Sequence, residues 1–131
     1  MSSEMDKFLR MASADGDVAR VRELIAGGAD VNQADGVLGY TALMSASVFG
    51  RVAVIRELLA HGADLNAQNI LGDTALMYAA ENGHVDAVRD LLSAGANAAL
   101  HTSSGKTAFM LAAERNKEAV VHELRRRGVS W

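Results

Sequence analysis

A period of 33 residues constrains this chain more than any other feature. Thr41, Thr74 and Thr107 are spaced by it, and so are Gly39, Gly72 and Gly105, and Gly62, Gly95 and Gly128. Leu43-Met44, Leu76-Met77 and Phe109-Met110 keep the same register, as do Leu58, Leu91 and Leu124. Upstream, Gly28-Ala29-Asp30-Val31-Asn32 matches Gly62-Ala63-Asp64-Leu65-Asn66 with one residue more between them. Self-similarity at such a period means a stack of similar supersecondary units.

The stretch from Gly72 to Ala96 shows what one unit is. Gly72 turns the chain and Thr74 is suited to cap a helix N-terminus. A short apolar helix ends at Asn82-Gly83. A second carries Val85, Val88, Leu91 and Leu92 on one face and Asp86, Arg89 and Asp90 on the other. Gly95 closes it. Two helices this short do not bury their apolar faces alone, so each unit depends on its neighbours.

These residues resemble the ankyrin repeat. Thr41-Ala42-Leu43-Met44, Thr74-Ala75-Leu76-Met77 and Thr107-Ala108-Phe109-Met110 stand for the family's T-P-L-H, supported by Gly83-His84 and the G-A-D-hydrophobic-N strings at Gly28 and Gly62. The resemblance covers nearly the whole chain. It departs from the family in having no proline and in placing methionine at the motif's histidine. Alanine is a good helix former at the first turn, so the fold expectation stands. The threonine–histidine network is expected to be replaced by apolar packing of Met44, Met77 and Met110.

The expected architecture is therefore all-α: an ankyrin-repeat solenoid of stacked helix–turn–helix units with protruding β-hairpin-like loops. It forms a single domain over residues 1–131, with repeats at about 1–35, 36–68, 69–101 and 102–131. In the first repeat Phe8, Leu9, Met11 and Ala12 are expected inside. Ser2, Ser3, Glu4, Asp6, Lys7 and Arg10 make a polar opening suited to a terminal repeat. Val18, Val21, Leu24 and Ile25 form the apolar stripe of its second helix. The exit of the third repeat, Asn97-Ala98-Ala99-Leu100, lacks the asparagine of the earlier two and should be less well tied. The last helix carries Arg125-Arg126-Arg127, expected as a solvated face, and a chain end just after Gly128 reads as the end of a complete array.

Chemistry finds little support. With no cysteine, disulfides, thiol nucleophiles and cysteine-rich zinc sites drop out together. None of the four histidines pairs with another at helical metal spacing, and His84 occupies the family's structural G-H slot. No G-x-S-x-G or P-loop pattern is present. The reading is no enzyme, no metal and no cofactor. A net charge of −3 carries no electrostatic footprint for nucleic acid, and no apolar run is long enough for a membrane span. The expected setting is cytoplasmic, and nuclear as well.

What the resemblance does imply is a protein partner held by a monomer on a concave face built from hairpin tips and inner helices. Carried over residue by residue, that face presents Val37, Leu38, Tyr40, Val48 and Phe49 from the second repeat. The third contributes Ile70, Leu71, Asp73, Tyr78 and Glu81, and the fourth Lys106 and Arg115. Tyr40, Phe49 and Ile70 are expected on one continuous surface. Asp73, Glu81 and Glu114 border it with negative charge. The alternative is a self-associating protein whose apolar tips close a homodimer. Asn32 and Asn66 lie where the family can be hydroxylated, although a hydrogen-bonded hairpin asparagine is the plainer reading.

Overall fold

The computed structural model describes residues 2–131. Met1 and the side chains of Ser2 and Ser3 lie outside the described part. Among the described residues the chain forms eight α-helices and no β-strand. They are α1 (Ser2–Asp15), α2 (Val18–Ala26), α3 (Ala42–Val48), α4 (Val52–Ala60), α5 (Ala75–Glu81), α6 (Val85–Ser93), α7 (Ala108–Glu114) and α8 (Glu118–Arg126). The odd helices stack on one another as an inner layer and the even helices as an outer one.

The inner helices α3, α5 and α7 begin where the sequence supplies an acceptor. The hydroxyls of Thr41, Thr74 and Thr107 accept from the backbone N–H groups of Met44, Met77 and Met110 at 3.2, 3.2 and 3.3 Å. Met77 adds a second bond, its sulfur accepting from the N–H of Thr74 at 3.4 Å. Thus the methionine that replaces the motif histidine still closes a capping box. Asp17 caps α2 through the N–H of Arg20.

The residues before α4 and α6 make no such cap and reach instead into the preceding repeat. Arg51 Nε donates to the carbonyl of Ala14, and His84 Nε2 to the carbonyl of Val48, each at 2.9 Å. His84 is thereby structural.

Leu43, Ile55, Leu58, Leu76, Leu91 and Leu124 lie fully inside, between the layers and between repeats. Burying each such side chain contributes on the order of 1.5–3 kcal/mol. Met44 and Met77 are buried as expected, but Met110 remains 39 % exposed. It occupies the same register in the last repeat, where no further repeat covers it.

The first repeat shows the mirror-image effect. Leu9 and Ala12 are buried, yet Phe8 and Met11, expected inside, keep 41 % and 53 % of their surface. Phe8 stands in the register of the buried Ala42, but α1 has a neighbouring repeat on one side only.

Asp6 was expected in the polar opening and is instead buried, its carboxylate accepting from the N–H of Asp30 at 2.7 Å. The terminal arginines are not simply solvated. Arg126 and Arg127 both bind the buried Glu123, and Arg125 lies over the Phe109 ring.

Candidate partner-binding face

Three hairpin tips precede α3, α5 and α7, and each is closed by one polar side chain. Asp35 Oδ1 accepts from the N–H groups of Val37, Leu38 and Gly39. Asn69 Oδ1 accepts from Leu71 and Asp73, and Thr102 Oγ1 from Ser104 and Lys106. Burial alone would raise the Asp35 carboxyl, but those backbone donors outweigh it and hold the group below its ordinary range. Neighbouring tips are linked by backbone bonds rather than a ladder: Ile70 N–H to Leu38 O at 3.0 Å, and Ser103 N–H to Leu71 O at 2.9 Å. The extra residue of the second repeat sits in the first of these tips, between Asp35 and Gly39.

Three of the exposed apolar side chains lie on the tips. Val37 is 82 % exposed, Ile70 66 % and Leu71 45 %, whereas Leu38 and Tyr40 are half-buried. The Tyr40 ring lies 5.7 Å from that of Tyr78.

Tyr78, expected on the presented surface, is buried. Its hydroxyl donates to Asp73 Oδ2 at 2.8 Å and accepts from Asn69 Nδ2 at 2.7 Å. A large aromatic side chain with a polar tip is well suited to lie under such a hairpin. Burial pushes the Tyr78 hydroxyl above its usual range. The neighbouring Tyr40 and Asp73 side chains add to this and the Asn69 donor opposes it.

Beyond the tips the face becomes charged. Glu81 and Arg115 approach to 3.6 Å, and Lys106 Nζ reaches Glu114 Oε1 at 2.7 Å. Burial pushes the Glu81 carboxyl up, Arg115 opposes that, and the charge of Asp73 adds to it. Leu71, Asp73, Ser103, Lys106, Leu111 and Arg115 border a shallow cleft of about 340 Å³ between the third and fourth repeats.

Phe49 and Val48 lie at the far end of α3. Phe49 is 53 % exposed with the Arg51 guanidinium 5.8 Å from its ring centroid. That places it roughly 10 Å of helix from Tyr40. The structure thus sets Leu71, Asp73, Lys106 and Arg115 around one cleft with Glu81 paired to Arg115, links Ile70 to Leu38 through the backbone, packs Tyr40 against Tyr78, and sets Phe49 apart beside Arg51.

Asn69 was missing from the sequence reading, although it orients both the tip and Tyr78. Its signal was the polar series Asp35, Asn69 and Thr102, which follows the repeat period.

The family model for ankyrin repeats (3 copies) matches residues 8–102 and again residues 67–130. This chain belongs to the ankyrin-repeat family. No curated protein matches its sequence. Ankyrin repeats generally mediate contacts between proteins and are generally non-catalytic. Among the described residues no helix is long and apolar enough to cross a membrane, and no three His, Asp or Glu side chains converge as a metal site.

Proposed function

We propose that this ankyrin array is a non-catalytic adaptor or inhibitor, a monomer that docks a segment of another protein against its hairpin tips and inner helices. The observation that carries the reading is the exposure of Val37, Ile70 and Leu71 along adjacent tips. The tips are closed by Asp35, Asn69 and Thr102 and linked by backbone bonds, so their framework does not use these apolar side chains. Exposed apolar groups gathered in one place usually mark interaction sites. Phe49 forms a second anchor at the far rim, of the aromatic kind enriched in binding hot spots. The proposed setting is the cytoplasm or nucleus, in keeping with a cysteine-free chain that uses no disulfides.

The same exposed tips favour one competing reading, a homodimer closed through Val37, Ile70 and Leu71. Sedimentation across a wide concentration range separates the two. A mass that stays monomeric supports a foreign partner, and a concentration-dependent dimer abolished by Ile70→Ser supports self-association. For a foreign partner, Phe49→Ser and Ile70→Ser should each weaken binding by at least about 1 kcal/mol, with thermal midpoints close to the parent's. Partner binding that is indifferent to both variants would remove the concave face from consideration.

A further inference from the structure

Three carboxylates lie along this face, Asp73 at the exposed tip and Glu81 and Glu114 beyond it, and the structure treats them unequally. Glu114 is matched by Lys106 at 2.7 Å and Glu81 by Arg115 at 3.6 Å. Asp73 has no cation within ion-pair distance among the described residues. Its Oδ2 accepts the hydroxyl of Tyr78 at 2.8 Å, and Asn69 Nδ2 holds that hydroxyl from the other side. Tyr78 and Asn69 are both buried, so the Asp73 carboxylate is fixed from below. Its Oδ1 takes no hydrogen bond from any described residue. Beside it stand Ile70 and Leu71, both exposed, and the cleft toward Ser103 and Leu111 opens at the same place.

We propose, resting on the docking reading above, that Asp73 receives a lysine or arginine of the partner segment, and that an adjacent apolar side chain of that segment covers Ile70 and Leu71. Charge complementarity selects this occupant over an acidic one. Asp73, Glu81 and Glu114 against Lys106 and Arg115 leave one negative charge unmatched, and it lies at the apolar tip. An acidic segment would meet Asp73 directly. To find a cation it would have to break the Lys106–Glu114 or Arg115–Glu81 pair. A basic side chain costs neither pair, and the half-exposed carboxylate gives up little hydration to receive it. Such a rim contact steers encounter and fixes register more than it adds affinity.

The test is a random-peptide display selection on the full chain, with enriched peptides then measured on the parent protein, Ile70→Ser and Asp73→Asn. Asparagine retains an oxygen to accept the Tyr78 hydroxyl, so the tip should keep its shape. Expected are peptides with lysine or arginine next to an apolar residue. They should lose affinity on Ile70→Ser, and roughly two- to fivefold on Asp73→Asn at low salt, with that second difference vanishing at high salt. Peptides lost on Ile70→Ser but unchanged on Asp73→Asn would overturn the basic contact and leave the docking face standing. Peptides that need Asp73 but not Ile70 would overturn the pairing of the two contacts. A selection that yields no binder, or only binders indifferent to Ile70→Ser, to Asp73→Asn and to Phe49→Ser measured beside them, removes the docking face and this inference with it.

Discussion

The side-chain oxygen of Asn66 accepts the backbone N–H of Asn97 at 2.8 Å, joining the exit of one repeat to the exit of the next. Asn32 does the same for Asp64 at 2.6 Å. At the N-terminal end Asp6 takes the asparagine's part for Asp30. Asn32 and Asn66 are thus rungs of a structural ladder. In the third repeat Ala99 stands at this position, and the ladder stops. The turn there is still closed locally, because Asn97 Oδ1 accepts from the N–H of Ala99.

The ladder gives two opposite expectations. Asn66→Ala should cost about 0.5–1.5 kcal/mol, the net value of one hydrogen bond, and should speed amide exchange at Asn97. Ala99→Asn should extend the ladder to the last repeat and raise stability by up to about 1 kcal/mol. Denaturant melts of both variants check the pair. A neutral Asn66→Ala would show that the bond is exchanged for water at no cost.

Gly50 ends α3 in the left-handed conformation, at φ 66°, and a Cβ there would lie 2.7 Å from the His84 ring. His84 needs that space to reach the carbonyl of Val48. Gly50→Ala should therefore destabilise by about 1–3 kcal/mol through backbone strain alone, and by more if the His84 bond is displaced. In the last repeat Asn116 holds the equivalent position at φ 57°. Asn116 is exposed there, and asparagine tolerates this conformation. Asn116→Gly should change stability by less than about 1 kcal/mol. Urea midpoints of the two variants decide whether stacking, rather than turn geometry alone, fixes glycine at Gly50.

On the outer layer, Arg22 reaches Glu57, Arg56 reaches Asp90, and Arg89 reaches Glu123. The last rung is the heaviest. The hydrogen bonds of Arg126 and Arg127, against the opposing effect of burial, hold the Glu123 carboxyl down at about 2, with Arg89 contributing. A carboxyl depressed by folding stabilises the folded state above its unfolded pKa and loses that contribution as pH falls through the folded one. Stability should therefore drop as pH falls from about 4.5 toward 2. Glu123→Gln should flatten that part of the curve. An identical acid limb in the variant would mean that other carboxyls carry it.

The repeat, the eight helices and most of the core were legible because they follow from periodicity. Thr41, Thr74 and Thr107 announce helix starts, and Leu58, Leu91 and Leu124 announce the seam between layers. The two ends were not legible by the same rule. Phe8 and Met110 share a register with buried residues but sit on α1 and α7, each of which packs against one inner helix rather than two. The site was legible at its apolar tips and misread at Tyr78. Carrying the family's binding face over to this register placed Tyr78 on the surface, but its own length lets the hydroxyl reach under the tip to Asn69 and Asp73. The outer ion-pair ladder was missed because each pair spans two repeats, beyond the reach of single-helix spacing.

Tyr78 supplies the last prediction, since it ties the fold to the binding face. Tyr78→Phe keeps the ring packed near Tyr40 and removes only the hydroxyl. Asn69 would then lose the acceptor for its Nδ2 at a buried position, and Asp73 would lose its donor. Leaving a buried donor unpaired costs about 1–3 kcal/mol, so a melt should show a loss in that range. The tip should not collapse, because Asn69 Oδ1 still accepts from Leu71 and Asp73, each at 3.0 Å. Exchange at those two amides should rise modestly, while exchange in α6, across the core, should follow the global stability alone. A basic peptide that binds at Asp73 should associate more slowly, because its carboxylate is no longer held in place from below. If Tyr78→Phe matches the parent in both stability and tip exchange, the hydroxyl neither supports the hairpin nor orients Asp73. The acidic edge of the face would then be set by the backbone of the tip.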